Sequence, residues 1–231
     1  MQRKLTFSWL AAMLFTAPTF AADAVQPFNG KDLSGWEMKE PKDRSHWKVG
    51  LAAVNSQKTN EFVLADKPEG EPGHLVNVQG HGVDIYTKEH WGDATIEVEV
   101  LIPRGSNSGI YVMGEYEVQV FDSFGKEKLS QSDIGALYSA AAPKVNAIKK
   151  PGEWNQFVIE FQAPRFDDEG KKTANAKFVK VVLNGQTLHE NIEMKGPTPT
   201  GVSGKEAPTG PLMFQGDHGP VAYRNLRITP K

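Results

Sequence analysis

The sequence predicts an all-β protein, a sandwich or jelly roll of two antiparallel sheets. Three observations carry that expectation. Short apolar segments with period-2 alternation recur along the chain, and none keeps a 3.6-residue apolar period. The 22 glycines and 15 prolines among 231 residues leave few uninterrupted stretches long enough for a good helix. Hydrophobic residues make up 39% and charged residues 23%, the composition of a globular chain with enough apolar surface to fill a core between two layers.

The chain opens on a segment set apart from the fold. Arg3 and Lys4 precede an uncharged apolar run over residues 5–15, and Thr19-Phe20-Ala21 is a small-residue cleavage signal. This is the pattern of a secretory signal peptide cut after Ala21, and the run is shorter than the roughly 20 residues a membrane-spanning helix needs. Residues 1–21 are therefore expected to be removed, leaving one domain over 22–231. The product would be periplasmic or secreted, with no membrane partner. The chain has no cysteine, which excludes disulfides, thiolate metal sites and a lipid-modified cysteine. Twenty-six basic side chains against 28 acidic ones give no basic excess, so nucleic acid is not an expected partner.

Strands are expected at 74–78, 94–102, 110–113, 116–121, 154–162, 176–184, 186–190, 212–215 and 221–228. The clearest is 94–102. There Ala94, Ile96, Val98, Val100 and Ile102 share one face, while Thr95, Glu97, Glu99 and Leu101 share the other. Pro103-Arg104-Gly105-Ser106 then turns the chain. With connections of hairpin length, 94–102, 110–113 and 116–121 are expected to form one antiparallel meander. Asn184-Gly185 is a strong hairpin turn. Residues 164–175 read as a charged, solvated hairpin tip. The long Pro- and Gly-rich segment 196–211 is expected either to rim a site or to be a disordered excursion.

Chemistry is expected on the polar face of that meander. Glu97 and Glu99 on one strand, and Glu117 and Gln119 on another, are each spaced i, i+2 and so share a face. Asn107 and Tyr111 lie on the same side of the strand between them. Glu97 reads as ordinary surface. Glu117 and Gln119 do not, because apolar residues flank them and Glu is a poor strand former. A groove with carboxylates, an amide and a phenol suits a sugar. A second cluster, Gln215-Gly216-Asp217-His218-Gly219-Pro220, lies between two apolar strands. Its glycines permit close approach of a ligand, and His218 is a candidate base, though a plain hairpin turn accounts for the same residues. Trp36, Trp47, Trp91 and Trp154 read as core or strand-end anchors. Nucleotide-loop, serine-elbow and zinc signatures are absent from the sequence.

Taken together, these blocks resemble a known family. The opening Phe28-Asn29-Gly30-Lys31-Asp32-Leu33-Ser34-Gly35-Trp36 is similar to its first block. Asn107-Ser108-Gly109-Ile110-Tyr111 and Tyr116-Glu117-Val118-Gln119-Val120-Phe121-Asp122 are similar to its centre. Gly135-Ala136-Leu137-Tyr138, Pro151-Gly152-Glu153-Trp154-Asn155, Gln215-Gly216-Asp217-His218-Gly219 and Val221-Ala222-Tyr223-Arg224-Asn225-Leu226-Arg227-Ile228 follow in order. The sequence resembles the 3-keto-disaccharide hydrolases, formerly a domain of unknown function. The resemblance implies a concanavalin A-like, laminarinase-like jelly roll and cleavage of glycosidic bonds in sugars oxidised at C3. It also brings Glu99, Asn107, Glu117, Gln119, Asp122, Asp217, His218 and Arg224 onto family positions.

The implied chemistry is elimination followed by hydration. It needs a base near C2, donors to an enolate oxygen and an acid for the leaving group. Glu117, His218 and Asp122 are the candidate catalytic residues, with the base either His218 or Glu117. Glu99, Asn107, Tyr111, Gln119, Asp217 and Arg224 are the candidate substrate-binding residues. No cofactor is established by these residues; a divalent metal near Asp122 and Glu99 is one way to hold the enolate. Arg224 reads equally as half of a structural salt bridge. Two other functions fit the same architecture: an ordinary glycosidase pairing Glu99 with Glu117, and a non-catalytic carbohydrate-binding module.

Overall fold

The computed structural model describes residues 23–231; the expected signal peptide lies outside the described residues. The strands run in chain order as β1 (Trp36–Met38), β2 (Trp47–Val54), β3 (Phe62–Ala65), β4 (His74–Asn77), β5 (Ile85–Trp91), β6 (Ala94–Leu101), β7 (Asn107–Val112) and β8 (Tyr116–Phe121). They continue as β9 (Asn155–Gln162), β10 (Arg165–Phe166), β11 (Lys172–Ala174), β12 (Ala176–Leu183), β13 (Gln186–Met194), β14 (Gly210–Phe214) and β15 (Val221–Pro230). Two antiparallel sheets form the predicted all-β sandwich. One has five strands in the order β1-β5-β14-β7-β8; the other has eight, in the order β13-β12-β9-β6-β15-β4-β2-β3. The charged tip at 164–175 is the small hairpin β10-β11.

Alternation decides which side chains fill the space between the sheets. Ile96, Val98 and Val100 of β6 point inward, as their spacing predicts, and meet Ile110, Val112, Val118 and Val120 from β7 and β8. An aromatic column ties the layers together. Trp36 of β1 stacks 5.5 Å from Phe214 of β14, which stacks 3.8 Å from Tyr223 of β15, with Trp47 of β2 at 6.4 Å beyond. Two of these rings come from each sheet, so the column crosses the sandwich and fixes the sheets against each other. Asn184 and Gly185, at φ 50° and 81°, make the tight turn between β12 and β13 that the Asn-Gly pair predicts.

The meander expectation is corrected by the structure. Only β7 and β8 form the expected hairpin; β6 pairs with β9 and β15 in the other sheet. The physical reason is the connection after β6. Pro103 has no N–H to offer a ladder, and Gly105 sits at φ 70°, so the chain leaves one sheet and enters the other. Ser106 anchors the crossing by donating its hydroxyl to Pro220 O at 2.5 Å.

That crossing also sets three of the expected site residues apart from Glu117. Glu99 projects from the outer face of the eight-stranded sheet, not toward Glu117. There it accepts bonds from Arg224 at 2.7 Å and Asn225 at 2.9 Å, because β6 and β15 place Glu99 and Arg224 opposite each other. The Arg224 guanidinium lies 4.1 Å from the Trp154 ring centre, on the outer face of the eight-stranded sheet and away from Glu117. Asp122 is not among the residues lining the space around Glu117: its two oxygens accept the N–H groups of Gly105 (2.8 Å) and Phe124 (3.2 Å) and pin the crossing. Glu99→Gln is accordingly expected to keep kcat/KM within about 2-fold and cost about 1 kcal/mol or less, as partly exposed ion pairs do. Steady-state kinetics with a parallel melting curve checks both.

Candidate active-site cleft

The outward residues of β7 and β8 form the floor of a cleft of about 380 Å³ on the free face of the five-stranded sheet. Asn107, Tyr111, Glu117 and Gln119 line it, together with His218 from the loop after β14. The sequence predicts these five residues to meet, and they do. The register explains it: Tyr111 stands opposite Glu117, and Gly109 opposite Gln119. Tyr111 donates its hydroxyl to Glu117 Oε2 at 3.0 Å, and Gln119 donates its amide to Asn107 Oδ1 at 2.6 Å.

Gly109 gives Glu117 its seat. A Cβ on residue 109 would stand 2.3 Å from Glu117 Oε1 and 2.9 Å from the Tyr111 ring. The carboxyl thus lies directly over the β7 backbone, and only 3% of Glu117 is exposed. Burial pushes its pKa up to about 7; the nearby charges of Asp84 and Asp217 push the same way, while the bond from Tyr111 pulls it down. Among the residues lining the cleft, Glu117 is the one carboxylate. A Glu99–Glu117 glycosidase pair is not formed. Burial, the Glu117 charge and the bond to it raise the Tyr111 phenol, so it remains a donor at every working pH.

Removing that donor has a definite sign. In Tyr111→Phe the carboxylate loses the bond that favours its charged form, so its pKa rises further. A rate that depends on ionised Glu117 should then keep its shape while its rising limb moves up by about one pH unit, a modest fraction of a charged hydrogen bond. A pH profile of kcat/KM measures this.

Long segments brought from elsewhere close the cleft. The 196–211 loop rims the site, the first of the two expected alternatives. Thr198 accepts the Glu117 N–H at 3.0 Å, and Thr200 shares a 3.0 Å bond with the Tyr111 hydroxyl. The buried Glu115 carboxylate receives Ser203 N, Ser203 Oγ and Gly204 N and holds the far end of the loop.

The His218 loop is seated equally firmly. Asp84 accepts Gly216 N at 2.9 Å, and a Cβ at Gly216 would stand 2.1 Å from Val83 O, so this position admits no side chain. Lys39 pairs with Asp84 at 3.1 Å and also donates to Thr200 O and Gly201 O. One lysine therefore ties both walls of the cleft together. Asp217 does not line the cleft; its oxygen lies 2.5 Å from His218 Nδ1, which fixes the imidazole and leaves Nε2 for a ligand.

Sequence reasoning missed three contributors and gave a fourth, Gln215, no role of its own. Lys39 and Asp84 carry no local signal. Lys126 lines the cleft, held 2.6 Å from the buried Asp133, whose carboxyl sits at about 2; burial opposes ionisation there, but bonds from Lys126, Ser130 and Ser123 outweigh it. Gln215 lines the cleft at 7% exposure, and its Oε1 has no partner among the described residues. An unmet buried acceptor is costly unless a ligand donor reaches it. Gln215 did carry a signal, since it opens the glycine-flanked cluster before Asp217. No group of three or more His, Asp or Glu among the described residues is arranged to hold a metal ion, and the carboxylates of Glu99 and Asp122 are bonded instead to Arg224, Asn225 and backbone N–H groups.

The arrangement is a buried carboxyl of near-neutral pKa, with a positioned imidazole, a lysine and three amides around one space. The comparisons with known proteins agree with a carbohydrate role. A crystal structure of a protein from Parabacteroides distasonis ATCC 8503, assigned as a glycosyl hydrolase, is 25% identical, with a TM-score of 0.69 over 95% of this chain and 94% of that one. A second protein from the same organism, assigned likewise, is 21% identical, with a TM-score of 0.59 over 90% of this chain and 94% of that one, and supports the fold. No curated protein matches the sequence. The family of 3-keto-alpha-glucoside-1,2-lyase-like domains matches residues 23–229, and the chain belongs to it.

Proposed function

We propose that the cleft cleaves the glycosidic bond of sugars already oxidised at C3, by elimination and then hydration. The observation that carries the reading is the buried Glu117, alone among carboxylates in the cleft wall and poised at about 7. An ordinary glycosidase needs two carboxylates flanking the bond. A single base of neutral pKa suits proton abstraction beside a ketone.

The steps follow from that placement. The C3 ketone acidifies the C2 hydrogen. Glu117 takes this proton, and the C2–H electron pair moves into a C2=C3 enolate. The amides of Gln119, Asn107 and Gln215 and the Lys126 ammonium surround the space where the enolate oxygen forms. The enolate collapses, the C1–O bond breaks, and the departing oxygen takes a proton from His218, whose ring Asp217 holds. Water then adds at C1 of the enone, C2 regains a proton, and the net change is hydrolysis. We also propose that residues 1–21 direct export of the protein and are removed. Intact mass of the exported protein should place its first residue at Ala22; retention of Arg3 and Lys4 would refute it.

The test is aglycone release from a 3-keto-glucoside, with the unoxidised glucoside as control. Release from the first and not the second is expected. Equal release from both would support an ordinary glycosidase, and saturable binding without release a binding module.

A further inference from the structure

The Glu117 cleft does not end at its own walls. A second hollow of about 340 Å³ shares two lining residues with it, Tyr138 and Pro199. Met194 and Pro197 line it, and Glu193 of β13 and Lys195 just after that strand supply polar groups. Tyr138 stands between the two hollows with 36% of its surface exposed, one of few large apolar side chains left open.

The backbone beneath Tyr138 is rigid. Residues 135–138 run along the free edge of β8: Gly135 N donates to Gln119 O at 2.7 Å, Gln119 N to Ala136 O at 2.9 Å, and Tyr138 N to Glu117 O at 3.2 Å. Leu137 is fully buried and bridges both Val118 and Ala141. The ring is thus exposed on a backbone bonded to the strand that carries the base. An aromatic face beside charged and amide groups is the surface a pyranose requires, with apolar C–H on one face and hydroxyls at its rim.

We propose that Tyr138 is the platform for the leaving-group sugar, so that the cleft binds two units of a glycoside. The oxidised ring sits over Glu117 and the departing sugar stacks on Tyr138, with its hydroxyls toward Glu193 and Lys195. This rests on the cleavage reading above and adds the second subsite. Tyr138 is then a specificity residue for the aglycone rather than part of the proton transfers.

The experiment compares a 3-keto-disaccharide with methyl 3-keto-glucoside, which has no second ring. Tyr138→Ala should lower kcat/KM for the disaccharide about 10-fold more than for the methyl glycoside, the size of one aromatic stacking contact, chiefly through KM. Tyr138→Phe should restore the wild-type ratio to within about 2-fold, since the ring and not the hydroxyl makes the contact. An unchanged ratio in Tyr138→Ala overturns the proposal. If the wild type cleaves neither compound, the cleavage reading has failed and the subsite is read by calorimetric binding instead. Tighter binding of the disaccharide that Tyr138→Ala abolishes then supports the platform, and equal binding by both proteins refutes it.

Discussion

Glu117→Gln is expected to lower kcat/KM on a 3-keto-glycoside by about 10²–10⁴-fold while making the protein more stable at pH 8. The loss follows from removing the base without disturbing its shape. The gain follows from burial. In the folded chain the carboxyl titrates at about 7, and in an open chain near 4.3. Between those values the folded state holds a proton that the unfolded state has released, so stability falls as pH rises through this window. Above it the full cost of a buried charge is present. Gln carries no charge and escapes that cost. The variant should melt higher than wild type at pH 8, by an order of 2 kcal/mol or about 5 °C, and equal it near pH 4. Melting curves at the two pH values separate this from a general packing effect, which would not depend on pH. A variant that is inactive and less stable at both would count against a buried, costly carboxylate.

Gly109→Ala should be nearly as damaging to activity for a steric reason. The new methyl occupies the place where Glu117 Oε1 now lies, and the Tyr111 ring closes the other side. The carboxyl is the movable end, so the protein folds and the base is displaced. Misplacement of about 1 Å costs on the order of 10²-fold, and a loss of at least that size is expected. Overpacking should cost about 1–3 kcal/mol, partly offset by the lower chain entropy of Ala. Kinetics together with circular dichroism distinguishes a folded, inactive protein from an unfolded one. Retained activity in a folded Gly109→Ala would mean that the carboxyl need not sit over β7.

The sequence makes the floor of the cleft legible because it is local. Glu117 and Gln119 share a face by strand geometry alone, and one hairpin brings Asn107 and Tyr111 beside them. His218 is legible through the glycines around it, which the structure uses for close packing, Gly216 against Val83 and Gly219 against Ser106 and Asn107. Sheet membership is not legible. A four-residue connection such as 103–106 looks the same whether the chain turns back in its own sheet or crosses to the other. Glu99 and Arg224 lie apart from the expected groove for that reason, since they sit on the other sheet and pair with each other. Lys39, Asp84 and Lys126 were missed because their roles depend on partners far along the chain. Lys39 reaches residues 161 and 162 positions away at the rim loop, and no pattern around Lys39 forecasts this.

The most direct measurement is cleavage of a 3-keto-glycoside in D2O, following C2 of the released sugar by NMR through the first turnovers. Glu117 acting on C2 predicts deuterium at that carbon faster than the 3-keto sugar exchanges on its own, and predicts that Glu117→Gln suppresses both label and release together. Release of a sugar that keeps its original hydrogen at C2, together with no primary isotope effect when C2 of the substrate is deuterated, would contradict proton abstraction, and with it the role assigned to Glu117.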